Sequence, residues 1–343
     1  MFGKMMKNYY YGKSGKGDYT KEDLPKNRWQ LFWEMLRVRL SGLSRLNLMT
    51  VVAWLPTIIL VGYMITNYIS IVNVDLSYRD YLQSGALSDS FGEAQVEQLT
   101  KLGVVDEVSL ATFVSQSVQT LMMQVCLLLI PCIAITGPVQ AGMAYVTRNW
   151  SRDEHAFLWS DFKDAVKENW KQGLGVSLIT SVIPVIMYVC YQFYGERANT
   201  NMFFIVPQML TITLGLVWML GVTFMYPMMV SYKVSFRQLI KNSLMLAIGR
   251  LPQTVGIRLL LLLPAVILVL GFDMTASMIP LLLLAAYYMV LGNALARFVI
   301  ASYTNGVFDK YINSHMEGVE VNRGLATETE EDDEEESEEP PEA

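Results

Sequence analysis

Few side chains in this sequence have the type and spacing that do chemistry, and those that do stand apart from one another. His155 lies beside Asp153 and Glu154, a triplet of the kind that holds a metal ion or moves a proton. A metal needs further donors nearby, and His315 is distant in a polar stretch, so a solvated loop histidine is expected at 155. Gly12-Lys13-Ser14 resembles the end of a phosphate loop, but position 7 is Lys where that motif needs Gly, and no strand precedes it. Cys126, Cys132 and Cys190 sit inside apolar runs without metal or disulfide spacing and read as small buried hydrophobes. The expectation is a protein that is not an enzyme, with no catalytic residue, no cofactor and no metal site.

Uncharged polar side chains make two stripes. Ser177, Thr180, Ser181, Tyr188 and Gln192 share one helical face with Pro184 and Tyr191, and Ser117, Thr120 and Gln124 share another. Gln124, Ser177, Thr180, Ser181, Tyr188 and Gln192 are the candidates for a polar pathway taken by a small solute. The competing use is hydrogen bonding between helices, the ordinary role of such groups in a membrane bundle. The apolar runs carry no Asp, Glu, Lys, Arg or His at mid-depth, which argues against a proton- or ion-coupled carrier. Pro56, Pro131, Pro184, Pro207, Pro227, Pro264 and Pro280 put a proline in or at the end of every run, as kinked helices around cavities do.

The elements that carry these residues are read from charge. Hydrophobic residues make up 52% of the 343 and charged ones only 17%, too apolar for an ordinary soluble chain. Charge is absent from 46–74, 110–147, 172–195, 198–232, 259–272 and 274–296. About 20 apolar residues cross a hydrocarbon core of about 30 Å. The fold class expected is an all-α integral membrane protein with six transmembrane helices at about 46–74, 113–136, 174–194, 202–231, 253–272 and 274–296. The fifth reaches spanning length only if Arg258 snorkels toward the headgroups. Residues 1–45 form a basic segment with an interfacial helix marked by Trp29, Phe32, Trp33 and Leu36. The membrane domain covers 46–310, and 311–343 is a disordered acidic tail.

The run 110–147 would measure about 57 Å as one helix, nearly twice the core thickness. Gly137-Pro138 is expected to break it, leaving a short helix at about 139–149. Gly137, Ala141 and Ala144 at i, i+4 and i+7 would let another helix approach closely. Ser151 and Glu154 read as a capping box opening a short helix, and Asp161 as the cap of the next. Phe162, Ala165, Val166 and Trp170 make its apolar stripe, with Lys163, Lys167 and Lys171 on one flank, and Trp150, Trp159 and Trp170 suit the headgroup zone. Gly137, Pro138, Gly142, Trp150, Trp159, Phe162, Lys163, Lys167, Trp170 and Lys171 are thus candidates for architecture or docking. A faint repeat, Phe32 to Arg37, Phe162 to Lys167 and Phe236 to Lys241, precedes the first, third and fifth spans.

The net charge of −6 belongs to the tail: residues 328–343 hold eleven acids and no base, and without them the chain stands at +5. Lys and Arg number 10, 5, 5 and 3 in the N-terminal segment, 148–173, 233–258 and the C-terminal segment, against 2, 1 and 0 in the alternate loops. Basic loops stay cytoplasmic, so both termini are expected inside. The lipid bilayer is the expected partner, and nucleic acid is not.

Two stretches resemble the YesL-like bacterial membrane proteins, domain of unknown function 624. One runs from Asn8-Tyr9 through Lys21-Glu22-Asp23-Leu24-Pro25 and Phe32-Trp33-Glu34 to Leu46-Asn47-Leu48. The other joins Gly137-Pro138, Ala141-Gly142-Met143 and Tyr145-Val146 to Phe157-Leu158-Trp159, Asp161-Phe162 and Lys167-Glu168-Asn169. Lys241-Asn242-Ser243 and Ile248-Gly249-Arg250-Leu251-Pro252 fit as well. The resemblance implies a six-span protein of the bacterial plasma membrane. It also implies an accessory or scaffold to carbohydrate uptake, with sugar ABC-transporter subunits as partners. It carries no catalytic residue.

Orientation is checked by labelling engineered cysteines against the parent chain in intact cells. Lys163→Cys should resist a membrane-impermeant maleimide until the cells are permeabilised, whereas Gln95→Cys should label at once; the opposite pattern would invert the topology.

Overall fold

The structure, a computed structural model, describes residues 25–87, 91–271 and 279–326. The lysines near the N-terminus, Gly12-Lys13-Ser14 and most of the acidic tail lie outside the described residues. Every regular element among the described residues is a helix: α1 (Arg28–Thr50), α2 (Leu55–Ser84), α3 (Glu93–Lys101), α4 (Glu107–Ala134), α5 (Thr136–Trp150), α6 (Ser160–Ala198), α7 (Ile205–Ser231), α8 (Phe236–Gly249), α9 (Leu251–Gly271), α10 (Ile279–Tyr287) and α11 (Asn293–Tyr311). A π-helical turn, Tyr288–Gly292, joins α10 to α11. Five stretches are long and apolar enough to cross a membrane: Arg28–Ser84, Glu107–Ala134, Ser160–Ala198, Met202–Ser231 and Leu282–His315. A sixth exists if α8 and α9, bent by 94° at one break, count as one.

Several boundaries differ from the sequence reading, each for a local reason. Asn27 caps α1 by accepting from the Gln30 backbone N–H at 2.9 Å. From there the chain stays helical for 57 residues, passing through a 3-10 turn at Val51–Trp54 into α2. The expected interfacial helix is therefore continuous with the first span. Leu31 and Met35 are buried and continue a ridge through Leu43 and Leu46 that packs on α5 and α11. Trp29 and Trp33 remain exposed.

The second break lies at Ile135, two residues before Gly137-Pro138. Pro138 occupies the third position of α5, where no intrahelical N–H is required, so it opens α5 rather than ending α4. The third span and the helix expected before it are a single element, the 39 residues of α6. The loss of charge after Lys171 marks a change of surroundings and not a helix end. Likewise the helix that carries the sixth span does not stop at Arg297, because α11 runs on to Tyr311.

Helix α5 lies at the centre of one end of the bundle. Eleven of its fifteen residues are buried, so it has no free face. Ala141 and Ala144 face a core made by Val176, residues of α7 and α8, Val307 and Phe308. Met143, Val146 and Trp150 face the other core, with α1, Phe162, Ala294 and Phe298. A helix this short and this enclosed is held by tertiary packing, since fifteen residues are marginal for a helix on its own.

Its contact with α6 tolerates no side chain. A Cβ on Gly137 would stand 2.2 Å from the Gly173 carbonyl oxygen, and one on Gly173 would stand 2.9 Å from that of Gly137. Gly137→Ala should therefore lower stability in detergent by about 1–3 kcal/mol through forced separation of two backbones. Gly62→Ala, where an added Cβ meets nothing within 4 Å, should be neutral or mildly stabilising by helix propensity. Equal thermal unfolding shifts for the two variants would refute the close contact.

Candidate functional site

The crossing of α5 and α6 explains where the polar groups of the break go. Ala134 ends α4 with a carbonyl that has no helical partner, and the Ser177 hydroxyl donates to it at 2.7 Å. Eight residues after Ala134, a Cβ on Gly142 would stand 2.6 Å from the Phe162 ring, so the ring fills the notch that the glycine leaves. Gly137, Pro138, Gly142 and Phe162 are thus brought together at one helix crossing, and their sequence signal was small residues facing an aromatic.

The charged flank remains open. Lys163, Lys167 and Lys171 are exposed, as are Trp159 and Trp170, and none of the three lysines forms an ion pair among the described residues. Lys171 Nζ lies 5.6 Å from the Trp170 ring centroid. Trp150 corrects the expectation of a headgroup anchor: it is buried, its ring packs on Gly42, and its indole N–H points to the Ala156 carbonyl at 3.4 Å. The expected capping box is also absent. Residues 151–157 are turn and loop, Ser151 accepts from Asn305 Nδ2 at 2.8 Å, and Glu154 turns to Arg323 at 2.7 Å. Asp161 is the second residue of α6 and not its cap; it accepts from the N–H of Phe157, ahead of the helix, at 2.9 Å. His155 is exposed and sits edge-on to Phe157. No group of three His, Cys, Asp or Glu suited to a metal occurs among the described residues.

The pathway candidates do not line one channel. Thr180 accepts from the Trp218 indole at 3.0 Å, Ser181 donates to the Leu178 carbonyl, and Tyr188 donates to the Gln119 carbonyl at 3.0 Å. Gln192 donates to the Tyr188 oxygen at 3.3 Å. The bonds of Thr180 and Tyr188 tie α6 to α7 and α4, and those of Ser181 and Gln192 stay within α6. Gln124 is separate: with Asn67, Gln116, Ser117 and Thr120 it lines a groove of about 380 Å³ between α2 and α4.

The arrangement that sequence reasoning missed lies where the described chain ends meet. The Ala326 N–H donates to the Pro25 carbonyl at 3.1 Å. Arg28 pairs with Asp309 at 2.6 Å and donates to Asn322 Oδ1 at 2.7 Å. Asn322 returns its backbone N–H to Asp309. Asn47 is a second clamp: its amide donates to the Tyr288 and Met289 carbonyls at 2.9 and 2.7 Å and accepts from the Ala294 N–H. That accounts for the π-helical turn, whose wider winding frees backbone groups that a side chain must satisfy. Arg258 does not snorkel outward; it donates to Thr223 Oγ1 at 2.8 Å and to the Met219 carbonyl at 2.9 Å in α7. Arg297 donates to Gln140 of α5 and lies 4.7 Å from the Tyr226 ring centroid. Only a three-dimensional partner distinguishes such residues from terminal charges.

Beside this junction is a cavity of about 280 Å³ with Arg148, Arg152, Arg323, Tyr232, Asn305 and Asn313 in its lining. Burial, then the neighbouring Arg152 charge, hold the Arg148 guanidinium below its ordinary value. Burial and Asp309 push the Tyr232 hydroxyl up to about 12, so it stays a neutral donor to Asn313 at 2.7 Å. The Nε atoms of Arg148 and Arg152 are buried and find no hydrogen-bond acceptor among the described residues. A group left so costs about 1–3 kcal/mol, more when charged.

Residues 117–191 match the family model described as Protein of unknown function, DUF624. Over that segment, which contains α5, the following loop and most of α6, the resemblance read from the sequence is shown. No curated protein and no solved structure matches the chain.

Burial separates the ion pairs. Asp309→Asn, at a side chain 4% exposed, should cost about 1–3 kcal/mol, because Arg28 loses its carboxylate but is itself 34% exposed. It should also open 316–326 to limited proteolysis. Glu97→Gln, in the exposed pair with Lys101, should cost no more than about 1 kcal/mol.

Proposed function

We propose that the protein is a non-enzymatic scaffold of the bacterial plasma membrane that crosses the bilayer six times with both termini cytoplasmic. Its basic end docks a partner in carbohydrate uptake, a subunit of an ABC-type sugar transporter. The observation that carries the docking is the first stretch of α6. Lys163, Lys167, Lys171, Trp159 and Trp170 are exposed, and the three lysines form no ion pair among the described residues, while the helix bearing them is fixed by Phe162 in the Gly142 notch and by the Gly137–Gly173 contact. On a fixed backbone the tryptophans lose little freedom when a partner covers them, and the lysines add charge that an acidic surface would meet.

The contact between Pro25 and Ala326 supports an even number of crossings, and the bias of Lys and Arg supports the orientation. The choice of a sugar transporter rests on the family resemblance. A second reading, a small-solute permease, is favoured by one observation, the polar groove at Gln124. The bonds of Thr180, Ser181 and Tyr188 count against the third span as its path.

Purification from native membranes in mild detergent, followed by mass spectrometry, should recover transporter subunits. Lys163→Glu/Lys167→Glu/Lys171→Glu should reduce that recovery about tenfold or more while leaving thermal unfolding unchanged. Absence of transporter subunits from the wild-type preparation would end the scaffold reading. Loss of solute uptake in Ser117→Trp with normal expression would favour the permease.

A further inference from the structure

The cavity beside the contact of residues 25 and 326 is separate from the docking flank of α6. It is enclosed by the end of α5 with Arg148 and Arg152, the end of α7 with Tyr232, and α11 with Asn305. Across it runs the segment from Met316 to Arg323. That segment is anchored on both sides: Arg323 reaches Glu154 at 2.7 Å and Glu320 at 2.5 Å, and Asn322 is held by Arg28 and Asp309.

Charge in the cavity is unbalanced. Three guanidinium groups line it against one carboxylate, Glu320. Asp309 is taken by Arg28 and Asn313. Glu154 gives its oxygen to Arg323 and stands 3.6 Å from Arg152 Nε, too far for a hydrogen bond. Arg148 spends one N–H on Asn149 Oδ1 at 3.2 Å. The Nε–H groups of Arg148 and Arg152 are buried and have no hydrogen-bond acceptor among the described residues, and Arg152 is left with the longer ion pair to Glu154. The other polar groups are mutually engaged, with Asn305 donating to Ser151 and Tyr232 to Asn313. What the cavity lacks is therefore acceptors carrying negative charge, several on one small group.

We infer that this cavity is a binding site for a phosphate-bearing ligand, held by Arg148, Arg152 and Arg323. A phosphate offers oxygens to more than one guanidinium at once, in the forked geometry that arginine matches and lysine does not. The space of about 280 Å³ exceeds what one phosphate fills, so the group carries a substituent: the ligand is a phosphate monoester or diester. Its source is either a soluble ester or a lipid headgroup, since both present the same chemistry. An anion here also relieves the repulsion between Arg148 and Arg152.

The test uses the full chain in nanodiscs, with inorganic phosphate as probe and chloride at equal ionic strength as control. In phosphatidylcholine nanodiscs, phosphate should raise the unfolding temperature by several degrees in a saturable way. Arg148→Gln and Arg323→Gln should weaken the half-saturating concentration about tenfold or more, and Lys163→Glu should not change it. In nanodiscs containing phosphatidic acid, loss of the phosphate response together with a higher starting unfolding temperature identifies a lipid headgroup. A retained response identifies a soluble ester. No phosphate response in phosphatidylcholine, or an equal response in wild type and both arginine variants, would overturn the site. Because Arg323 is half exposed, its variant keeps the test valid if Arg148→Gln fails to fold.

Discussion

A helix interrupted inside an apolar bundle leaves carbonyl oxygens that neither lipid nor its own next turn can satisfy, and this chain meets that constraint at Ala134. The hydroxyl of Ser177 answers it, and it can do so only because α6 passes close enough to put Gly173 against Gly137. The rest of the basic end follows from that approach. With α5 pinned against α6, its opposite faces are left to two separate cores, one built on α7 and α8 and the other on α1 and α11. The short helix is thus less a connector than the part around which five longer ones are assembled.

The polar groups of the same end act as ties between segments far apart in the chain. Arg28 and Asp309 are 281 residues apart, and Asn47 closes on a turn 241 residues away. In each case a side chain supplies what the backbone or a buried charge lacks, as a low-dielectric interior requires. The arginines of the cavity depart from this rule, because the buried Nε–H donors of Arg148 and Arg152 find no acceptor among the described residues.

Much of the architecture was legible from charge alone, since 46–74 and 198–232 can hardly be anything but membrane-depth helices in a chain of this composition. Helix ends were less legible. The disappearance of charge after Lys171 suggests a boundary, yet the backbone of α6 passes it unchanged, because charge reports surroundings and helicity reports local hydrogen bonding. Pro138 announced a break without saying on which side, and the answer depends on whether a proline is in a last turn or a first. Trp150 shows the limit of residue type: an indole suits a headgroup layer and a protein core equally, and only the Gly42 notch decides. Glu154 and Asn47 gave no periodic signal, since their partners come from distant segments.

The meeting of residues 25 and 326 makes the described chain a ring in all but covalent bond. Joining the ends there would close a loop whose entropy the fold has already spent. New termini opened in the turn at Asn199–Asn201 would leave each core intact. A circular permutant is thus a natural form of this molecule. A module joined at residue 25 or at residue 326 would start from the same spot, beside the arginines.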